Sequence, residues 1–395
     1  MADLITIAEA RNRVLKAVRP LSDEPVRLAD ALGRVLAEDV RSAISVPPFD
    51  SSAMDGYAVI AGPAAELETI AESRAGHPAA VEVRPGTAIA ISTGGAVPEG
   101  ATAVVPVERT TRAGETVTVP DTAPGANIRR AGEDIAAGET VLRRGEILSP
   151  AAVGVAASVG RDSLTCARRP RVALLVTGDE LTEPGQPLGP GGIYSSNAYA
   201  LAAQVERAGA VVTMHEAVHD RADATLASIG TALGEGDVVV VSGGVSVGPH
   251  DHVKAALSGN DVSEEFWGVS LRPGKPTWFG SRGDVLAFGL PGNPVSAMVT
   301  FGLFVRPALA ALQGADPAIT RTTARLEEPI ARNPKREQAV RVRLRAGEDN
   351  WRAVPTKGAQ GSHVLTSMLG ADGLALIAPG DGEAPAGELV EVELL

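Results

Sequence analysis

The chain has 395 residues, 44% of them apolar and 21% charged, with a formal net charge of −12. That length exceeds one ordinary hydrophobic core and implies roughly two to four domains. The acidic balance argues against nucleic acid as the main partner, and an aromatic fraction of 3% leaves few surfaces for base stacking.

A single cysteine, Cys166, excludes an internal disulfide framework and a paired-cysteine metal site. No window holds about eighteen unbroken apolar residues, and Met1-Ala-Asp-Leu4 lacks the basic start of a secretory signal. We therefore expect a cytoplasmic protein with no membrane partner.

In chain order, residues 7–18 read as an amphipathic helix. Ala29 to Val40 reads as a second helix, with Leu32, Val35 and Leu36 on one face. The stretch from Ile44 to Ala58 is a structured loop, since prolines, aspartates and a glycine crowd it. Asp50 and Asp55 suit turn caps there at least as well as functional roles. Residues 59–142 alternate short Val/Ile/Thr runs with Gly/Pro punctuation, including Val81-Glu-Val-Arg84, Ala88–Ser92 and Thr116–Val119. This predicts a small β domain with conspicuous loops at Thr93-Gly94 and Asn127–Ile135. In the second loop Arg129 and Arg130 pair with Glu133 and Asp134 as an exposed cluster worth little for stability. A helical pattern resumes at Pro150.

Between 170 and 313 strands and helices alternate: strand Val172–Val176, helix Asn197–Gly209, strand Ala210–Met214, a helix from Asp223, strand Val238–Val241, strand Val285–Leu290 and a helix from Val295. Such alternation means right-handed βαβ units and a parallel sheet. The four valines suit a strand buried on both faces. They run into Ser242-Gly243-Gly244, where missing Cβ atoms let backbone N–H groups face a ligand. Ser246 adds a hydroxyl, and Asp251 adds a carboxylate before a helical-looking 252–258. Ligands of such sheets bind beyond the carboxyl ends of the strands. Three loops at those ends carry polar groups: Thr177/Asp179/Glu180, Ser242/Ser246/Asp251 and Asn293/Ser296. Residues 320–395 return to short alternating strands, predicting a terminal β-barrel or sandwich.

An ordered set of motifs spans nearly the whole chain: Pro48–Ala58, Thr93-Gly94, Asn127-Ile-Arg-Arg130, Gly132-Glu-Asp134, Thr177–Leu181, Ser242–Gly248, Arg272-Pro-Gly-Lys-Pro276, Gly289–Ala297 and Gln360-Gly-Ser-His363. This set resembles the molybdopterin molybdotransferases, or molybdenum insertases, the family that includes MoeA-type proteins and the E domains of gephyrin and its plant homologue.

The resemblance implies a multidomain α/β plus β architecture. A discontinuous N-terminal helical part (1–42 and 143–168) carries an inserted small β domain (43–142). A doubly wound, mostly parallel α/β/α domain follows (169–316), then a C-terminal β-barrel (317–395). It also implies a homodimer and the reaction of adenylylated molybdopterin with molybdate to give molybdenum cofactor and AMP, with Mg²⁺. Hand-over to apo-molybdoenzymes or to the adenylyltransferase follows from the same resemblance.

Carried over residue by residue, the resemblance gives catalytic roles to Asp55, Thr93, Asp134, Glu180, Asp251 and Lys275. Glu180 and Asp251 are the metal ligands it implies. Substrate or molybdate binding falls to Ser242, Gly243, Gly244, Ser246, Arg272, Pro276, Asn293, Pro294, Ser296, Arg336 and Ser362. The residue types suit the chemistry, since dianions need cations and donors, and Mg²⁺ needs hard oxygen ligands. Arg272 stands where a lysine is common, and a guanidinium forks where an ammonium is a point charge. Ser195-Ser196-Asn197 stands where Asp-Ser-Asn is often found. His250 and His252 are weaker metal candidates than the carboxylate between them, and Cys166 suits packing. Two alternatives stay open at this point: a molybdopterin adenylyltransferase, and a scaffold of the same fold without turnover.

Overall fold

The computed structural model describes residues 4–246, 252–356 and 360–395. The chain divides into two compact units. One comprises Met1–Glu24, Gly33–Ala37 and Cys166–Leu395; the other comprises Pro25–Leu32 and Glu38–Thr165.

The first unit is organised by a six-stranded sheet. Its spatial order is Val211–Val218, Arg171–Thr177, Val238–Ser242, Val285–Leu290, Trp278–Arg282, Ser263–Trp267. The first four strands run parallel, as the strand–helix alternation requires. The last two add an antiparallel edge that the sequence pattern did not signal. Val238–Ser242 is buried along its whole length. Val238 and Val240 enter one apolar cluster, and Val239 and Val241 the opposite one. Each valine so removed from water contributes roughly 1.5 kcal/mol or more.

Helices Ser196–Arg207, Ala222–Glu235 and Val253–Gly259 fall close to their expected places. Helix Pro294–Thr300 continues through the π-helical stretch Phe301–Val305 into Arg306–Leu312. This run is long and apolar enough to cross a membrane, yet 78% of it is buried in the fold, where it forms the core. The amphipathic helix Ile7–Ala17, capped by the Thr6 hydroxyl, packs Ile7, Ala10 and Val14 into the same cluster as Phe301, Leu303 and Leu309.

Within this unit the C-terminal strands Arg321–Leu326, Glu337–Ala346, Trp351–Pro355, Gly373–Ile377 and Leu389–Leu394 close into a barrel. The short strand Leu271–Arg272 pairs with Glu337 and Gln338, tying the Arg272-Pro-Gly-Lys loop to the barrel.

The second unit contains a six-stranded sheet ordered Ala103–Pro106, Gly56–Val59, Thr87–Ile91, Ala65–Ser73, Thr116–Val119, Thr111–Ala113. Helix Pro150–Ser158 starts at Ser149, whose hydroxyl accepts from the Ala152 N–H at 3.2 Å.

Three local expectations are corrected. Ala29 to Val40 is not a helix: a single 3₁₀ turn, Leu28–Asp30, closes at Ala31, and Gly33 beyond it has φ +72. Val35 and Leu36 bury themselves instead beside Cys166 and Ala167, while Leu32 is exposed. Val81–Arg84 is not a strand; only Val83 is buried, held by its N–H to Glu99 O. Arg130 does not form an ion pair with Glu133 or Asp134. Its guanidinium reaches Asp50 at 2.6 Å, and Glu133 accepts from the Arg130 backbone N–H.

Candidate functional site

Two adjoining cavities lie at the carboxyl ends of the parallel strands of the first unit. The larger, about 640 Å³, is lined by the strand-end loops at Thr177–Leu181, Ser195–Asn197, Asp220, Ser242–Ser246 and Pro291–Pro294. The smaller, about 360 Å³, is lined by Arg272–Pro276, Ser296, Arg336 and Gln360–Ser362. Pro276, Asn293 and His363 belong to both walls.

The glycine turn after the valine strand has its shape for a steric reason. Gly243 sits at φ +99, and a Cβ there would lie 2.7 Å from Thr177 Oγ1 and 2.8 Å from Thr177 O. Only glycine tolerates both the conformation and the approach. Asn197 then stitches the strand ends together: its Nδ2 donates to Ser242 Oγ (2.9 Å) and to Gly292 O (2.8 Å). The Ser242 hydroxyl donates onward to Pro291 O at 3.3 Å. Sequence reasoning counted Ser242 as a ligand-binding hydroxyl; here it is buried and used to hold the loops. Two other hydroxyls on this wall, Thr177 Oγ1 and Ser195 Oγ, are buried without a hydrogen-bond partner among the described residues. Orphaned buried hydroxyls carry a cost that a ligand removes by bonding to them. Ser195, where the resemblance leads one to look for a carboxylate, lines the cavity but keeps its hydroxyl buried.

Negative charge gathers at one end of this wall. The Asp220 carboxyl is pushed upward by burial, then by the nearby charges of Asp179 and Glu180. Asp179 accepts from the Asp220 N–H at 3.2 Å and contacts His219 Nδ1 at 3.0 Å. Asp220 was not among the sequence candidates. Among the described residues no three His, Cys, Asp or Glu side chains converge on one point as a complete metal site. Asp251, with His250, lies outside the described residues.

The smaller cavity has the opposite sign. Arg272, Lys275 and Arg336 all line it, and no ion pair joins any of them to a carboxylate among the described residues. In a chain of net charge −12, uncompensated cations in one cavity define an anion site. The Ser362 loop is fastened to it from two sides. Asn293 Nδ2 donates to Ser362 Oγ at 3.0 Å, and the Val295 N–H donates to Ser362 O at 3.1 Å. Ser246, given by the resemblance to substrate or molybdate binding, lines the larger cavity.

A further residue, missed by sequence reasoning, lies behind the small cavity. Arg341 is 1% exposed and donates to Ser367 Oγ (3.1 Å) and Gly361 O (3.3 Å); its backbone N–H donates to Gln360 Oε1 (3.0 Å). Burial alone depresses its guanidinium to about 10. A cation with a depressed folded-state value costs stability at neutral pH, and that cost is relieved only as pH rises above about 10. We expect Arg341→Met to leave the thermal midpoint within a few degrees, because relief of the buried charge offsets the lost hydrogen bonds. The same variant is expected to weaken anion binding several-fold by freeing the Gly361–Ser362 turn. Thermal melts and anion titration on one sample check both halves.

In the second unit, Asp55 Oδ1 accepts from the Thr93 N–H (2.7 Å) and from Thr93 Oγ1 (3.0 Å). These bonds, the backbone one first, hold the exposed Asp55 carboxyl below its ordinary value. Two residues to which the resemblance gives catalytic roles are thus in direct contact. Asp134, also exposed, donates its N–H to Val46 O.

This fold and site define a class: an α/β ligand-binding protein whose strand-end cleft is completed by Arg336 and the Gln360–His363 loop of a closed barrel. Residues 5–160 match the MoeA N-terminal region (domain I and II), 173–311 the probable molybdopterin binding domain and 323–395 the MoeA C-terminal region (domain IV). The chain is 38% identical over 394 residues to molybdopterin molybdenumtransferase 2 of Mycobacterium tuberculosis, covering 96% of each chain. It is 35% identical over 404 residues to the molybdopterin molybdenumtransferase of Haemophilus influenzae, covering 99% of this chain and 98% of the relative. The crystal structure of a molybdopterin biosynthesis MoeA protein from Pyrococcus horikoshii superposes with a TM-score of 0.84 at 31% identity, covering 100% of both chains. The chain belongs to the molybdopterin molybdenumtransferase family.

Proposed function

We propose that this protein inserts molybdate into adenylylated molybdopterin, releasing AMP in a Mg²⁺-dependent reaction and forming molybdenum cofactor. The observation that carries this reading is the pairing of the two cavities. One offers a glycine turn and an acidic end; the other offers three cations that pair with no carboxylate among the described residues. A pterin bearing phosphates suits the first, and a small tetrahedral dianion suits the second.

Arg272, Lys275 and Arg336 bind the molybdate dianion, with Ser296 and Ser362 adding hydroxyls. Gly243, Gly244 and Ser246 cradle the substrate at the strand ends, and Asn293 and Pro294 border it. Mg²⁺ suits the acidic end of the larger cavity, because it is commonly held by one or two carboxylates plus substrate phosphates. Glu180 and Asp220 supply such carboxylates here, and their crowding is what a divalent cation relieves. When bound, Mg²⁺ neutralises charge developing on the pyrophosphate oxygens.

The test is to incubate the protein with adenylylated molybdopterin, Mg²⁺ and molybdate. AMP release together with a product that reconstitutes an apo-molybdoenzyme supports the reading. Pyrophosphate formation from ATP would point to an adenylyltransferase, and binding without either product to a scaffold. The match of all three family regions, not the α/β region alone, favours insertion.

We also propose that the working form is a cytoplasmic homodimer that passes its product to apo-molybdoenzymes. Support comes from the family resemblance, and from Asp55, Thr93 and Asp134 belonging to a different compact unit from Glu180 and Lys275. If partners complete each other's sites, mixing Asp55→Ala with Glu180→Ala protein restores about a quarter or more of wild-type AMP release in verified heterodimers. No recovery in those heterodimers overturns shared sites.

A further inference from the structure

His363 lines both cavities, and it is the one imidazole among the described residues that does so. Its ring nitrogens make no hydrogen bond among the described residues, so both remain available to whatever fills either space. The ring lies over Gly361: a Cβ on that residue would stand 3.0 Å from His363 Cε1 and 3.3 Å from Nδ1. The backbone beneath is fixed by Arg341 to Gly361 O and by Val295 N–H to Ser362 O. On one side it shares its cavity with Glu180, Asp220 and Tyr194; on the other, with Arg272, Lys275 and Arg336.

We propose that His363 is a proton carrier for the insertion step, moving protons from the pterin's dithiol to a molybdate oxygen. This rests on the reading above, with the dithiol end of the pterin in the larger cavity and molybdate in the smaller. Joining the two requires such transfer. Two S–H bonds break and two Mo–S bonds form. One Mo–O bond breaks, and that oxygen leaves as water carrying the two thiol protons. The molybdenum stays hexavalent, so no oxidant or reductant is consumed. The lysine and arginines hold the dianion as donors and carry no acceptor atom, so they are poor carriers. An imidazole accepts at one nitrogen while donating from the other, which suits it to pass a proton between two groups.

The experiment compares wild type with His363→Ala, His363→Gln and Gly361→Ala. Each is assayed for molybdate binding by equilibrium dialysis, for AMP release and for cofactor formation. We expect His363→Ala and His363→Gln to bind molybdate within about threefold of wild type but to form cofactor about 100-fold more slowly. Added imidazole should recover at least about tenfold in His363→Ala, the smaller side chain leaving room, and little in His363→Gln. Gly361→Ala, which pushes the ring aside, should slow insertion without touching either cavity's charges. Cofactor formation at wild-type rate in both His363 variants overturns the proposal. So does equal loss of molybdate binding and insertion with no imidazole rescue, which would make His363 a wall residue only. Wild-type protein that forms no cofactor at all would instead overturn the reading on which the proposal rests.

Discussion

Lys275→Ala protein should fold as wild type does and bind molybdate about 10- to 100-fold more weakly. The ammonium is exposed in the free protein and takes part in no ion pair among the described residues, so removing it costs little stability. Toward a dianion in the small cavity it supplies a charge-assisted hydrogen bond, typically about 1.5–3 kcal/mol, and about 1.4 kcal/mol is tenfold in affinity. Arg272 and Arg336 remain, so binding weakens without vanishing. The same variant should lose part of the salt sensitivity of binding, because fewer charges are screened. Equilibrium dialysis with molybdate at two ionic strengths measures both effects. Unchanged affinity would remove Lys275 from the anion site.

Glu180→Gln is expected to abolish most Mg²⁺-dependent AMP release, a loss of about 100-fold or more, while leaving molybdate affinity unchanged. Glutamine keeps the shape and loses the charge, so the acidic end of the larger cavity can no longer hold a hard cation as well. Glu180 lines only the larger cavity, so molybdate in the smaller one does not meet it. Removing this charge also relieves one of the influences that push the neighbouring Asp220 carboxyl upward. Raising Mg²⁺ should therefore recover part of the activity of Glu180→Gln, but not of a Glu180→Lys control. Stopped assays of AMP across a Mg²⁺ series decide it.

Much of the α/β architecture was legible, because its strands are buried apolar runs that pattern alone can find. Val238–Ser242 and Arg171–Thr177 are the plainest cases. The strands that escaped notice lack that signal. Ala65–Ser73 alternates half-buried with exposed residues, and Ser263–Trp267 carries two adjacent glutamates on the antiparallel edge. Val211–Val218 shows how such a miss reaches the site. Its apolar pattern fades at His215 and Glu216, so the strand seemed to stop at Met214. Read to its true end, the rule about strand ends would have pointed to Asp220.

The small cavity came from family resemblance, because nothing in local pattern says that Arg272, Arg336 and Ser362 meet across two domains of one unit. Arg341 was invisible for a different reason. Inside Arg-Val-Arg-Leu-Arg it reads as one more solvated strand arginine, and only the closed barrel shows that it is the buried one.

Crystals of the protein soaked in molybdate, with diffraction recorded at the molybdenum absorption edge, test the central claim most directly. An anomalous peak within bonding reach of Arg272, Lys275, Arg336 and Ser362, across the wall from Ser246, is the predicted result. A peak elsewhere on the protein, with that cavity empty at saturating molybdate, would contradict it.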